Sequence, residues 1–334
     1  MKTHAWGILL ISLVAAVGFG QTRNPNYEVN FFGAPPPGAS VWSLPRSVAV
    51  DGKGTIVIFR AFDPAVLIFN RAGEFQKSWG EGFSGAHSID IDRDGFVWLT
   101  DRYNHQVFKY TMDGKQLMVL GKKRVAGDNN STDLFNGPAD VAIGRNGDIF
   151  VADGHVNSRI VKLSKDGKFI KIIGGTKGPA PGQFDVPHAI AIDSRGRLLV
   201  VDEQRDEHNA RVQVLDQDGN FIEQWKLPTA WPTCITIAPG DTVYVGDIDA
   251  NTIMVWKDGK MLDVIGSLQA GPHNIAIDPA SGVLYLTDPV QLERLPAAIN
   301  TALKRVLHPV TNDPGDPIDG GIVKQIVRKP RQSK

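Results

Sequence analysis

A short apolar run opened by proline or alanine recurs six times along this chain. It begins at Pro45-Arg46, Ala86-His87, Pro138-Ala139, Pro187-His188, Pro232-Thr233 and Pro272-His273. The equivalent positions 46, 87, 139, 188, 233 and 273 lie 41, 52, 49, 45 and 40 residues apart. Self-similarity at that period specifies a repeat architecture, because one such unit cannot bury its own apolar face. The second copy shows the unit. An apolar strand over 88–92 meets an Asp94-Gly95 turn and a second strand over 96–100. A loop leads to a third strand over 106–110, and Asp113-Gly114 turns the chain into a fourth over 116–120. Asp-Gly supplies the positive φ that tight hairpins need. Copies three and four repeat the order with Asn146-Gly147, Asp166-Gly167, Arg195-Gly196 and Asp218-Gly219. Four strands joined by hairpins form an antiparallel blade, and six blades around an axis form a propeller. The expected fold class is all-β, a six-bladed antiparallel β-propeller over residues 21–334.

The ends of the chain carry further expectations. Residues 27–32 alternate weakly and read as a strand, followed by a rigid connector, Ala34-Pro35-Pro36-Pro37-Gly38. Residues 321–327 read as a late strand. Paired with the N-terminal strand, it would complete the last blade and leave no open edge. Between them, Leu292, Leu295, Ile299, Leu303 and Val306 recur at helical spacing, so a helical insertion is expected over 291–307.

The first 20 residues are of another kind. Met1-Lys2 is basic, Ala5 to Phe19 is almost wholly apolar, and small residues stand at Gly18 and Gly20. This is the pattern of a secretory signal peptide over 1–20. The run is short for a membrane span, which needs about 20 apolar residues. No membrane association is expected after cleavage. A single cysteine, Cys234, permits no internal disulfide. A bacterial periplasmic or secreted protein is the expectation. Formal net charge is zero and the pI is about 7.1, which excludes the basic footprint of nucleic-acid binding. A monomer is expected.

Copies two, four and six place His87, His188 and His273 at one register. In a closed ring of six, alternate blades are related by an approximate threefold axis. Strand ends of a propeller point at its channel, so three imidazoles would converge there. Three nitrogen ligands with one open position suit a catalytic zinc. An aspartate closes the second strand 14 residues after the entry position, at Asp101, Asp153, Asp202 and Asp247, and 15 after it at Asp288. These read as caps of the following loop. Arg60 occupies that place in the first copy.

Three stretches carry a family resemblance. They are Phe135-Asn136-Gly137-Pro138-Ala139-Asp140-Val141-Ala142, Asp153-Gly154-His155-Val156-Asn157-Ser158-Arg159-Ile160-Val161, and Pro181-Gly182-Gln183-Phe184-Asp185-Val186-Pro187-His188. With Asn104-His105-Gln106-Val107-Phe108-Lys109 they resemble the NHL-repeat propellers of the peptidyl-α-hydroxyglycine α-amidating lyases, over residues 40–290. The resemblance implies zinc held by His87, His188 and His273. It implies cleavage of the N–Cα bond of a C-terminal α-hydroxyglycine, releasing a peptide amide and glyoxylate. The family's catalytic tyrosine falls on His155, which reads either as a base near neutral pH or as a solvated loop histidine. Its blade-four arginine falls on Glu203, with Arg205 nearby in a longer loop. Its first-blade arginine lies beside Arg60, and Arg102 and Tyr103 also stand within reach of the channel mouth. The family's structural calcium uses an aspartate after the last histidine. Asn274 stands there, so calcium is only weakly implied.

Two other readings accompany the lyase. A non-catalytic NHL propeller would bind a protein or peptide on one face. A lactonase-like hydrolase is an analogy of fold alone, and its carboxylate-rich calcium site is unlike a histidine trio.

Overall fold

The computed structural model describes residues 26–39, 42–203, 210–229, 231–266, 268, 271–289 and 321–329. Its strands form six four-stranded antiparallel sheets, each a blade. Blade one runs from the strand Pro45–Val50 to Phe75–Trp79, and blade two from Ala86–Ile91 to Gln116–Leu120. Blades three, four and five begin at Asp140–Ile143, Pro187–Ile192 and Pro232–Ala238. The sixth is built from both ends of the chain. Asn274–Ile277 and Leu284–Asp288 are followed by Ile322–Arg328, and the outermost strand is Tyr27–Phe31. Tyr27 pairs with Arg328 and Phe31 with Lys324, antiparallel. The expected clasp is therefore present. The helical insertion expected over 291–307 and the signal peptide expected over 1–20 lie outside the described residues, and no described segment is a helix long and apolar enough to cross a membrane.

Apolar residues face not one core but the gaps between blades. Six buried clusters are described, one for each pair of neighbours. Ile58, Phe69, Ala276 and Tyr285 join blades one and six. Trp98, Val107, Val141 and Val151 join blades two and three. Inner strands such as Val97–Asp101 are buried throughout, whereas outer strands face water: Phe75–Trp79 alternates in burial and Gln116–Leu120 is mostly exposed. Asp-Gly turns close the hairpins as expected, and Gly95 has φ +84°.

The first residues of the inner strands position the site. In blades one, two, four and five the ladder slips where the strand begins. Pro187 pairs with Asp202 and Ala189 with Val201, so His188 is the extra residue of a bulge. Arg46 and Thr233 are extra in the same way. In blade two Ala86 pairs with Asp101 and Ile89 with Leu99, leaving His87 and Ser88 opposite Thr100. A bulge re-aims a side chain that the pleat would otherwise carry into a blade face. The strand-closing aspartates act as caps. Asp101 accepts the backbone N–H groups of Ser84, Tyr103 and Asn104. Asp153 and Asp202 each accept a backbone N–H and also hold a buried arginine, Arg159 and Arg211.

Candidate metal centre

Four of the chain's eight histidines bring their rings together where the inner strands begin. His87 is central. Its ring centroid lies 4.4 Å from that of His155, 4.9 Å from His188 and 5.0 Å from His273. His155 and His188 are 5.1 Å apart, and His188 and His273 are 6.2 Å apart. The repeat register groups His87, His188 and His273. The structure draws the set differently: potential ligand atoms of His87, His155 and His188 all lie within 4.8 Å of one another. His273 stands at the edge of the group.

The rings share one orienting device. Nδ1 of His87 donates to the Ala139 carbonyl at 2.6 Å, and Nδ1 of His188 to that of Thr233 at 2.7 Å. Nδ1 of His273 donates to the carbonyl of Arg46 at 2.8 Å. A carbonyl only accepts, so each Nδ1 carries a proton, and in the neutral ring Nε2 is the nitrogen that can ligate an ion. Partners of this kind fix the tautomer and ring orientation of metal-binding histidines. His155 follows the same rule from a loop, with Nδ1 on the carbonyl of Gly137 at 2.9 Å. Two glycines deliver that loop. A Cβ on Gly154 would stand 2.0 Å from the carbonyl of Pro187, and one on Gly137 would stand 2.8 Å from Cβ of His155. Only glycine lets the chain press this closely beside His188.

The local field disfavours the charged form of His87 and of His273. Burial pushes His87 well below the ordinary histidine range, and His155, His188, His273 and Arg102 push it further. Burial does the same to His273, followed by the charge of Arg46. Nε2 of His87 is buried with no hydrogen-bond partner, and such an orphan costs about 1–3 kcal/mol unless something satisfies it. Three imidazoles this close, with one Nε2 buried and without a hydrogen-bond partner, fit a cation of the zinc class. His87, His155 and His188 could hold one.

Around the histidines the field is cationic. Arg46 is depressed by burial and by Arg102, yet an arginine stays charged in proteins. Among the described residues neither guanidinium is paired with a carboxylate. Arg102 lies 4.7 Å from the ring centre of Tyr103. Tyr103 and Val156 are exposed beside the site. Glu203 is fully buried, and its Oε1 is 3.7 Å from Nε2 of His188. Arg60 donates Nε to the carbonyls of Phe62 and Pro64 and Nη2 to that of Asp63, so it braces its own loop. Arg205 lies outside the described residues. Asn274 accepts the N–H of Val48 through Oδ1 and stitches blade six to blade one. Sequence reasoning did not single out Arg46, although it occupies the same repeat position as the three histidines. That shared register was the available signal.

Farther along the channel the lining turns aliphatic, with two carboxyls among it, Asp90 and Asp140. Burial raises Asp90 to about 6 and Asp140 to about 7. Cys234 is buried and its thiol is pushed up to about 12, so it is inert.

Residues 83–110 and 135–163 match the NHL repeat. With the six blades, this makes the chain an NHL-repeat β-propeller. NHL repeat-containing protein 3 of Mus musculus is 29% identical over 266 residues, covering 72% of this chain and 75% of that protein. The chain also resembles the α-amidating proteins. Peptidyl-glycine alpha-amidating monooxygenase of Mus musculus is 33% identical over 297 residues, 74% of this chain but 30% of that protein. Peptidyl-alpha-hydroxyglycine alpha-amidating lyase 1 of Drosophila melanogaster is 36% identical over 165 residues, 46% of this chain and 29% of that protein.

Proposed function

We propose that this chain is an exported, zinc-dependent propeller enzyme of the amidating-lyase type. Its substrate would be an α-hydroxyglycine peptide or a related small molecule bearing a hydroxyl and a carboxylate. The observation that carries the reading is the group of imidazoles, each held by its Nδ1, beside Arg46 and Arg102, which pair with no carboxylate among the described residues. His87 and His188, with His273 or His155, would hold the ion. Bound there, the ion supplies a Lewis acid for a hydroxyl or carboxylate oxygen. Arg46 and Arg102 would take the substrate's carboxylate, since charge-assisted pairs are the stronger hydrogen bonds. Tyr103 and Val156 would cover an apolar body outside the mouth. The N-terminal leader supports a periplasmic or secreted location.

The experiment is metal analysis of the purified protein, followed by incubation with an α-hydroxyglycine peptide. Stoichiometric zinc and released glyoxylate are expected. Bound metal with no glyoxylate from any such peptide would remove the lyase assignment. A second reading, a propeller that only binds a peptide, is favoured by one observation: His155 and Glu203 stand where the lyases are expected to carry tyrosine and arginine.

A further inference from the structure

We propose that Thr100 and Thr287 are positioning residues of the metal centre, each holding the main-chain carbonyl that orients one histidine. This deepens the metal-centre reading above and rests on it. The carbonyl of Ala139 accepts Nδ1–H of His87 at 2.6 Å and lies 3.1 Å from Oγ1 of Thr100. The carbonyl of Arg46 accepts Nδ1–H of His273 at 2.8 Å and lies 3.0 Å from Oγ1 of Thr287. A carbonyl oxygen has two lone pairs and no proton, so the hydroxyl donates to one and the imidazole to the other. In each unit the histidine and threonine belong to one blade, and the carbonyl comes from the next. Both threonines are fully buried.

The repeat register makes the same point. The residue before the end of the second strand is Phe59, Thr100, Ala152, Val201, Gly246 and Thr287 in blades one to six. A hydroxyl stands there only in blades two and six, and both carry a histidine at the strand entry. Packing alone does not ask for it, since blade four buries valine at this place. A buried hydroxyl is unfavourable unless it is hydrogen-bonded, and these two direct their proton at the oxygen that aims an imidazole. Partners that fix a ligand's orientation form the outer shell of a metal site. The threonines lie one bond further out and restrict the swing of the carbonyl. Thr100 has a second duty, because its Oγ1 accepts the N–H of Ser88 at 2.9 Å and lies 3.2 Å from Oγ of Ser88, which has its own proton. Among the described residues the hydroxyl of Thr287 contacts the Arg46 carbonyl alone, so Thr287 gives the cleaner test.

The test uses the full mature chain, with zinc in competition with a chelator and proton NMR of the imidazole Nδ1–H groups in the metal-free protein. Thr287→Val keeps the shape and removes the hydroxyl. It should weaken zinc binding about three- to tenfold, below the roughly 10–100-fold of a ligand's direct outer partner. Thr287→Ala should do the same, and Thr287→Ser should keep wild-type affinity. Solvent exchange of the His273 Nδ1–H should quicken in Thr287→Val while that of His87 stays as it was. Thr100→Val should show the reverse. A general loss of stability would quicken both protons together and would not be repaired by serine. Unchanged zinc affinity in both Thr287→Val and Thr287→Ala would overturn the inference, and so would exchange that quickens alike at both histidines. The metal-centre reading would survive either result, because it falls only if the wild-type chain binds no zinc. That outcome would remove this inference with it.

Discussion

Even and odd blades present the same strand-entry position to the channel, and they use it in opposite ways. Blades two, four and six place side chains there, His87, His188 and His273. Blades three, five and one place backbone carbonyls there, on Ala139, Thr233 and Arg46, and each carbonyl receives one of the histidine Nδ1 protons. Each of these three imidazoles is thus oriented by the blade that follows it around the ring. A second set of contacts joins blades one and two, three and four, and six and one. Ser47, Asp140 and Asn274 accept the N–H groups of Ile89, Ile190 and Val48 from the next inner strand. The pairing teaches that the odd blades are the outer sphere of the site, made from main chain and so compatible with any side chain at that register.

The largest break in this comparison is His188→Ala. Metal should be lost entirely, as read by elemental analysis. The circular dichroism spectrum should persist, because six inter-blade clusters hold the fold without the ion. Unfolding of the metal-free variant would make the centre structural. Next in size is a change in an odd blade. Arg159 and Asp153 are paired with neither exposed to solvent, and Asp153 caps the approach to the His155 loop. Arg159→Ala removes the cation from a buried carboxylate, leaving it the N–H groups of Asn136 and Asn157, and should cost about 3–5 kcal/mol in denaturant unfolding. A cost below 1 kcal/mol would show that blade three does not depend on the pair.

Arg46 is the odd-blade residue whose side chain also enters the field of the site. Arg46→Met keeps the carbonyl that orients His273 and deletes only the cation. With a charged hydrogen bond worth about 1.5–3 kcal/mol, KM for a carboxylate substrate should rise about 10–100-fold while metal content stays the same. Loss of metal in Arg46→Met would mean that the side chain supports His273 and does not serve substrate.

The smallest effect concerns the lower channel. Asp90 is raised from 3.8 to about 6, first by burial. Between those values the folded state holds the proton more tightly than the unfolded chain. Its contribution to stability is therefore present at pH 4 and falls away as pH rises to 6. Asp90→Asn keeps an acceptor for the N–H of Ile91 and removes that fall. Relative to wild type it should gain about 1 kcal/mol at pH 8 over pH 4, below the full linkage value because channel water reaches the carboxyl. Equal pH profiles would place Asp90 in free contact with solvent.

Much of the architecture was legible before any coordinates. The spacing of the six entry positions, the Asp-Gly turns and the weak terminal strands marked the blades and their clasp, because hairpin turns and strand alternation are local signals. The strand-closing aspartates were legible as caps for the same reason. Within the site, the register marked His87, His188 and His273, and the family resemblance marked His155. Nothing local marked Arg46, because an arginine at a strand entry reads as a solvated residue until the ring closes. Arg60 read as a site residue, yet its guanidinium bonds carbonyls two to four residues onward.

The period, and with it the number of blades, their antiparallel order and the angular positions of three histidines, is written in the local sequence. Those follow from turn chemistry and apolar patterning, which act over a few residues. Which imidazoles meet depends on how the blades pack. The bulges at the strand entries, the closeness of Gly154 to Pro187, and the carbonyls supplied by the neighbouring blades draw His155 inward and leave His273 at the edge. Each of these depends on contacts between segments tens or hundreds of residues apart. Their geometry is set only when the first and last blades close on one another.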